Sequence, residues 1–132
     1  MTPEELLSAA RRLIERPDAA TAGVWPRAAA LLARQALELA MAELWAANPR
    51  AIGLSESSMR SQILCLTAYL GQDTATRADY LYAALSRACH YHSYELAPTA
   101  TELTRWLNET TELVTIMYGR AGINGPIRLT GG

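Results

Sequence analysis

After Pro26, nothing in the stretch from about Val24 or Trp25 to Ala47 would stop a helix, and its apolar side chains fall on two faces at once. Ala28, Leu32, Leu39 and Ala42 share one face, while Leu37, Ala40 and Leu44 share another, at the spacing of a 3.6-residue turn. A helix apolar nearly all round is either central to its fold or shared with a second subunit. The segment therefore demands other helices, or a second copy of the chain, to cover it. Pro26 suits its first turn and Asn48-Pro49 ends it.

The rest of the chain supplies those covering elements. Thr2-Pro3-Glu4-Glu5 reads as a helix start, with Thr2 as cap, Pro3 in the first turn and Glu5 completing a capping box. That helix is expected to run to about Arg16, before Pro17-Asp18, with a short linker from Ala19 to Gly23. Ser55 is expected to cap a third helix, with Leu54 and Met59 as a hydrophobic staple, a stripe of Met59, Ile63, Leu66 and Leu70, and Gly71 as its stop. A fourth begins near Asp73 to Thr76 and carries Ala78, Leu81, Tyr82, Leu85, Cys89, His92 and Leu96 at helical spacing, until Ala97-Pro98 breaks it. Thr99 and Glu102 form a capping box for a fifth, whose inner side is Leu103, Trp106, Leu107, Thr110, Val114 and Met117. The glycines from Gly119 onward are expected to prevent regular helix. The chain thus reads as all-α, an antiparallel up-and-down bundle of four to five helices over residues 1–118, with a glycine-rich tail over 119–132.

Charge narrows the function classes. Twelve basic residues, all arginine, stand against thirteen acidic ones, a formal charge of -1, which argues against a nonspecific nucleic-acid coat. The apolar runs are interrupted by Arg34, Glu38 and Glu43, so no membrane span is expected. The start of the chain is acidic where a secretion signal would be basic and then apolar. The expectation is a soluble cytoplasmic domain. Cys65 and Cys89 are solitary and read as reduced thiols rather than a disulfide.

The chemistry-bearing residues concentrate in one decapeptide, Ser86-Arg87-Ala88-Cys89-His90-Tyr91-His92-Ser93-Tyr94-Glu95, which holds both histidines of the chain. Its Arg87-x4-His92-x-Tyr94 spacing resembles the R-x4-H-x-Y motif of the higher eukaryotes and prokaryotes nucleotide-binding (HEPN) superfamily. Ala33-Arg34-Gln35-Ala36-Leu37-Glu38 is similar to an A-x-Q-A-x-E stretch on the long early helix of those domains. Family members often carry lysines after that glutamate; Leu39 and Ala42 stand here, in a chain with no lysine. The resemblance covers roughly residues 24 to 118. It implies a small all-α homodimer in which two copies of the motif meet in one cleft and cleave or bind RNA without metal or other cofactor. His92 would be the general acid/base and Arg87 the clamp on the phosphate. Tyr94 would correspond to a tyrosine that nucleotidyltransferases modify with AMP in some toxin–antitoxin pairs. A nucleotidyltransferase or antitoxin partner is implied accordingly, with Tyr91 and Glu95 as neighbouring contact residues.

A continuous helix through this decapeptide raises a conflict. Positions five apart lie about 140° apart around the axis, so Arg87, Tyr91 and Tyr94 share a face with His90 on its edge. His92 falls with Leu85, Cys89 and Leu96 on the core stripe. His90 therefore stands as the alternative histidine. A purely structural reading also exists: His92 as a hydrogen-bonded core residue, Arg87 paired with Glu95 or with an acid on the next helix, and Tyr91 and Tyr94 filling an interhelical gap. A noncatalytic dimerisation or scaffold module, binding a nucleotide or a protein, is the corresponding function. Cys89, His92 and Glu95 at three-residue spacing form too little of a metal site on one helix, and Cys89 lacks a histidine base on its own face. Trp25, Trp45 and Trp106 read as core or interface aromatics. Arg11, Arg12 and Arg16 form a solvated basic face.

Overall fold

The computed structural model describes residues 1–16, 24–51, 53–90 and 96–122. Those residues form five α-helices and two short 3-10 turns, with no strand among them: α1 Pro3–Glu15, α2 Trp25–Ala46, α3 Met59–Leu70, α4 Gln72–Cys89 and α5 Ala100–Ala121, with the turns at Pro49–Ala51 and Leu54–Glu56. The fold class is all-α. No helix among the described residues is long and apolar enough to cross a membrane.

Each start has a local cause. The Thr2 hydroxyl accepts the Glu5 backbone N–H at 3.1 Å, and Pro3 occupies a first-turn position whose N–H would have had no partner. At α5 the box is complete: the Thr99 hydroxyl accepts the Glu102 N–H and the Glu102 carboxylate accepts the Thr99 N–H, both at 3.1 Å. Ser58, rather than the expected Ser55, caps α3 by accepting from the Ser61 N–H. Ser55 is taken up in the preceding 3-10 turn, so Leu54 and Met59 no longer stand at staple positions, although both pack against the core. Gly71, at φ 89°, stops α3 and lets α4 begin on the next residue, a conformation that only glycine adopts without strain.

Two ends differ from expectation. Helix α5 passes through Gly119 and stops two residues later, where Gly122 takes φ 74°. One glycine costs a helix about 1 kcal/mol, which the packing of Val114, Met117 and Tyr118 offsets. Helix α4 ends at Cys89 instead of running to Ala97-Pro98. His90 leaves helical geometry at φ -126°, ψ 20°, and its N–H closes a tighter bond to the Arg87 carbonyl at 3.1 Å. Leu96, expected on the core stripe, is 98% exposed.

Helix α2 is the hub and packs against α1, α4 and α5, while α3 packs mainly on α4. Ala29, Ala30, Ala33, Ala36 and Ala40 are fully buried on α2, and their small side chains permit close approach of its neighbours. Leu37, Met41, Leu44 and Trp45 add the bulk, meeting Leu81 and Leu85 of α4 and Leu107, Leu113 and Met117 of α5 in one core. Of the two faces of α2 read from the sequence, the Leu37, Ala40 and Leu44 face is buried. Ala28, Leu32, Leu39 and Ala42 are only half-buried, and Val24 and Leu31 beside them are exposed. Every inner position expected on α5 is buried, including Thr110, whose hydroxyl donates to the Trp106 carbonyl at 2.8 Å.

The buried polar groups around Trp45 are well matched. Its indole N–H donates to Gln62 Oε1 at 2.9 Å, and the Gln62 amide nitrogen donates in turn to the Ser57 carbonyl at 2.9 Å. The Tyr69 ring meets Trp45 edge-on, with centroids 5.3 Å apart. This cluster pins the irregular 49–58 connection to the core.

Candidate functional site

The outer side of α4 presents Tyr80, Ala84, Arg87 and Ala88 at i, i+4, i+7 and i+8, one face of a helix. Opposite them, the first two turns of α5 present Thr99, Glu102, Arg105 and Trp106. Together with Leu96, Ala97 and Pro98 these residues enclose an open cavity of about 480 Å³, within the size range of small-ligand pockets. The floor is apolar and the rim carries two guanidiniums.

Arg87 and Arg105 are both exposed, and neither has a hydrogen bond or ion pair to its guanidinium among the described residues. The expected pairing of Arg87 with an acid on the next helix is therefore not found there; the ion pair between α4 and α5 joins Arg77 to Glu112 instead. Glu102, the carboxylate nearest in sequence to Arg105, is turned back onto the Thr99 N–H and hydroxyl. Trp106 lines the cavity at 9% exposure, and its indole N–H is buried with no acceptor among the described residues.

His90 is exposed at the end of α4, three residues after Arg87 and tied to it through the backbone bond described above. Tyr91, His92, Tyr94 and Glu95 lie outside the described residues. The premise of the angular conflict, a helix continuous from Arg87 to Leu96, does not hold, because α4 ends at Cys89.

The opposite side of α4 is engaged with α2. The Tyr82 hydroxyl donates to Glu38 Oε2 at 2.9 Å, and the Arg34 guanidinium lies 6.0 Å from the centre of the Tyr82 ring. Burial, and then the hydrogen bond to Glu38, push the Tyr82 phenol above its ordinary value. Cys89 is buried, and burial raises its thiol despite the opposing influence of Arg34. A raised thiol is the reverse of what a nucleophilic cysteine needs. Glu38 of the A-x-Q-A-x-E stretch thus anchors α4 to α2.

A second polar seam joins α1, α2 and α5. Tyr118 is buried, with Glu43 and Glu4 close by; burial first, then these carboxylates, push its phenol far above the ordinary value. Nothing in the residue pattern marks this seam, because three residues far apart in the chain build it. Arg105 and Tyr80 were also missed: single arginines and tyrosines on amphipathic helices read as solvated surface. The one advance signal was that Tyr80 shares a helix face with Arg87; Arg105 had none.

Comparison with family models, with curated proteins and with solved structures finds no match to this chain.

Proposed function

We propose that this chain is a HEPN-like, RNA-cleaving effector that works as a homodimer, with an antiparallel up-and-down helical bundle presenting Arg87 and His92 in a shared cleft. The observation that carries the reading is the state of Arg87: an exposed guanidinium on a cavity wall, without an acidic partner among the described residues. Exposed arginines without an ion pair occur elsewhere, Arg60 of α3 among them; Arg87 is set apart by sharing its cavity with a second guanidinium, Arg105, a pair suited to a phosphate.

The chemistry needs no metal. The ribose 2′-oxygen attacks the adjacent phosphorus as a base removes its proton, and the bond from phosphorus to the 5′-oxygen breaks. The departing 5′-oxygen takes up a proton, leaving a 2′,3′-cyclic phosphate and a 5′-hydroxyl. His92 is the proposed base and acid, a role in which imidazole is the commonest side chain, and His90 is its alternative. Arg87 offers two parallel N–H donors to the phosphoryl oxygens as negative charge grows there. Tyr94, flanked by Tyr91 and Glu95, is the proposed modification site for a nucleotidyltransferase or antitoxin partner; a phosphate-bearing group there would oppose a second phosphate by charge and volume. The setting proposed for this activity is the cytoplasm.

The half-buried apolar face of α2, with Leu31 and Val24 exposed beside it, supports the homodimer. A dimer mass by light scattering at tens of micromolar is expected. The test of the activity is incubation with RNA in EDTA. Wild-type protein yields 2′,3′-cyclic phosphate ends, and Arg87→Ala and His92→Ala each abolish them. Loss in His90→Ala alone moves the base to that residue. Absence of any cleavage leaves the noncatalytic dimerisation module, with dimer formation as its measurable property.

A further inference from the structure

We infer that the α4–α5 cavity is a nucleotide subsite beside the Arg87 site, in which Arg105 holds a phosphate together with Arg87 and Tyr80 stacks a base. The inference rests on the reading of the chain as an RNA-acting protein and names residues that the R-x4-H-x-Y resemblance does not include.

Independent observations converge on it. Two guanidiniums from different helices line one cavity, and no carboxylate pairs with either among the described residues. Like charges facing one cavity repel, and an anion between them relieves that repulsion while accepting bidentate hydrogen bonds. Glu102 could compete, but its carboxylate is held on Thr99 at 3.1 and 3.3 Å. The same contact fills the N-terminus of α5, so the anion belongs at the guanidinium end.

The walls supply the rest of a nucleotide's chemistry. Tyr80 is 58% exposed, an aromatic ring that the core does not use, and it stands two helical turns from Arg87 on the same face. Trp106 closes the inner wall with a ring and a buried donor that has no acceptor among the described residues. Leu96, on the rim, is almost wholly exposed. Flat rings beside cationic groups are the elements with which proteins hold single-stranded nucleic acid. On a chain whose net charge is -1, such a patch is local rather than the edge of a broad basic surface.

The experiment uses a fluorescein-labelled 2′-O-methyl RNA pentanucleotide, which lacks the attacking hydroxyl and reports binding without cleavage. Wild-type protein in EDTA is expected to bind it. Arg105→Ala should weaken binding about tenfold and flatten the salt dependence by about 0.7 in log–log slope, the signature of one lost phosphate contact on a single strand. Tyr80→Ala should also weaken it about tenfold, and Tyr80→Phe should restore it. Arg12→Ala, an equal change of charge on α1, is the control. On cleavable RNA, Arg105→Ala should raise KM and leave kcat unchanged. Equal affinities for Arg105→Ala and Arg12→Ala, in proteins of equal melting temperature, overturn the inference. Unlabelled 5′-AMP should displace the probe at concentrations where inorganic phosphate does not; equal displacement by phosphate removes the stacking role of Tyr80. The two readings fail separately. Arg105-dependent binding without cleavage of ordinary RNA rejects the nuclease and keeps the subsite, whereas cleavage with an unchanged KM in Arg105→Ala does the reverse.

Discussion

Tyr80 and Tyr82 stand two residues apart on α4 and lead opposite lives. Tyr82 faces α2, gives its hydroxyl to Glu38 at 2.9 Å and lies near the Arg34 guanidinium. Tyr80 faces the cavity, more than half exposed, and makes no hydrogen bond among the described residues. The arginines also differ, although both lie on the side of α4 that meets α5. Arg77 is tied to Glu112, while Arg87, less than three turns further along, has no such partner among the described residues. One helix thus carries polar groups that serve the fold, Tyr82 toward α2 and Arg77 toward α5, and others, Tyr80 and Arg87, for which the described residues supply no partner. Groups of the first kind should be costly to remove for stability; groups of the second kind should be costly only for function.

The buried side of α4 offers the largest test. Leu81 is fully buried in the common core, and Leu81→Ala should lower stability by about 3 kcal/mol, a fall of roughly 10 °C in melting temperature. A loss under 1 kcal/mol in a denaturant titration would break the division, since it would mean that this face also tolerates a void.

Next comes the polar seam. Tyr82→Phe keeps the ring and removes the donor to Glu38, at an expected cost of about 1 kcal/mol. The alkaline limb of stability sharpens the same point at Tyr118. Its phenol and that of Tyr82 are raised in the folded chain above the ordinary 10.0. Below that pH both phenols are protonated, folded or unfolded, and their full contribution is present. As pH rises past it, the unfolded chain loses these protons first, so stability falls through the interval up to the folded values. Tyr118→Phe should therefore make the decline of melting temperature above pH 10 shallower than in the wild type.

The smallest expected effect lies on the cavity side. Tyr80→Ala should change stability by less than about 0.5 kcal/mol, the usual range for an exposed position, while weakening oligonucleotide binding. A stability loss as large as that of Tyr82→Phe would erase the contrast between the two tyrosines.

How much of this could be read in the sequence follows from what the signals measure. Caps are local chemistry: Thr2 with Pro3, Pro26, and Thr99 with Glu102 placed three helix starts correctly. Every position read on the α5 stripe is buried, because a long helix with one buried face repeats the same signal many times, although Leu113 and Tyr118 belong to that face too and were not read. Two serines three residues apart offer the same cap chemistry, and only the 3-10 turn through Ser55 decides for Ser58. The end of α4 failed for a related reason. Leu85, Cys89, His92 and Leu96 keep helical spacing with no proline or glycine between them, so periodicity alone carries the helix past the point where the backbone leaves it. Of the candidate site, Arg87 and His90 were legible as unusual residues in an alanine-rich segment. Arg105 and Trp106 were not, because the cavity that unites them with Arg87 is a property of two helices meeting, and neither helix announces it alone.

The most direct test of the division is the rate of RNA cleavage in EDTA by Arg87→Ala against wild type, measured at a temperature where both are fully folded. The account predicts a loss of about a hundredfold or more, the scale of removing one donor to a developing oxyanion, with the melting temperature unchanged within 2–3 °C, equivalent to less than about 0.5 kcal/mol. Cleavage at the wild-type rate by a folded Arg87→Ala protein would contradict it.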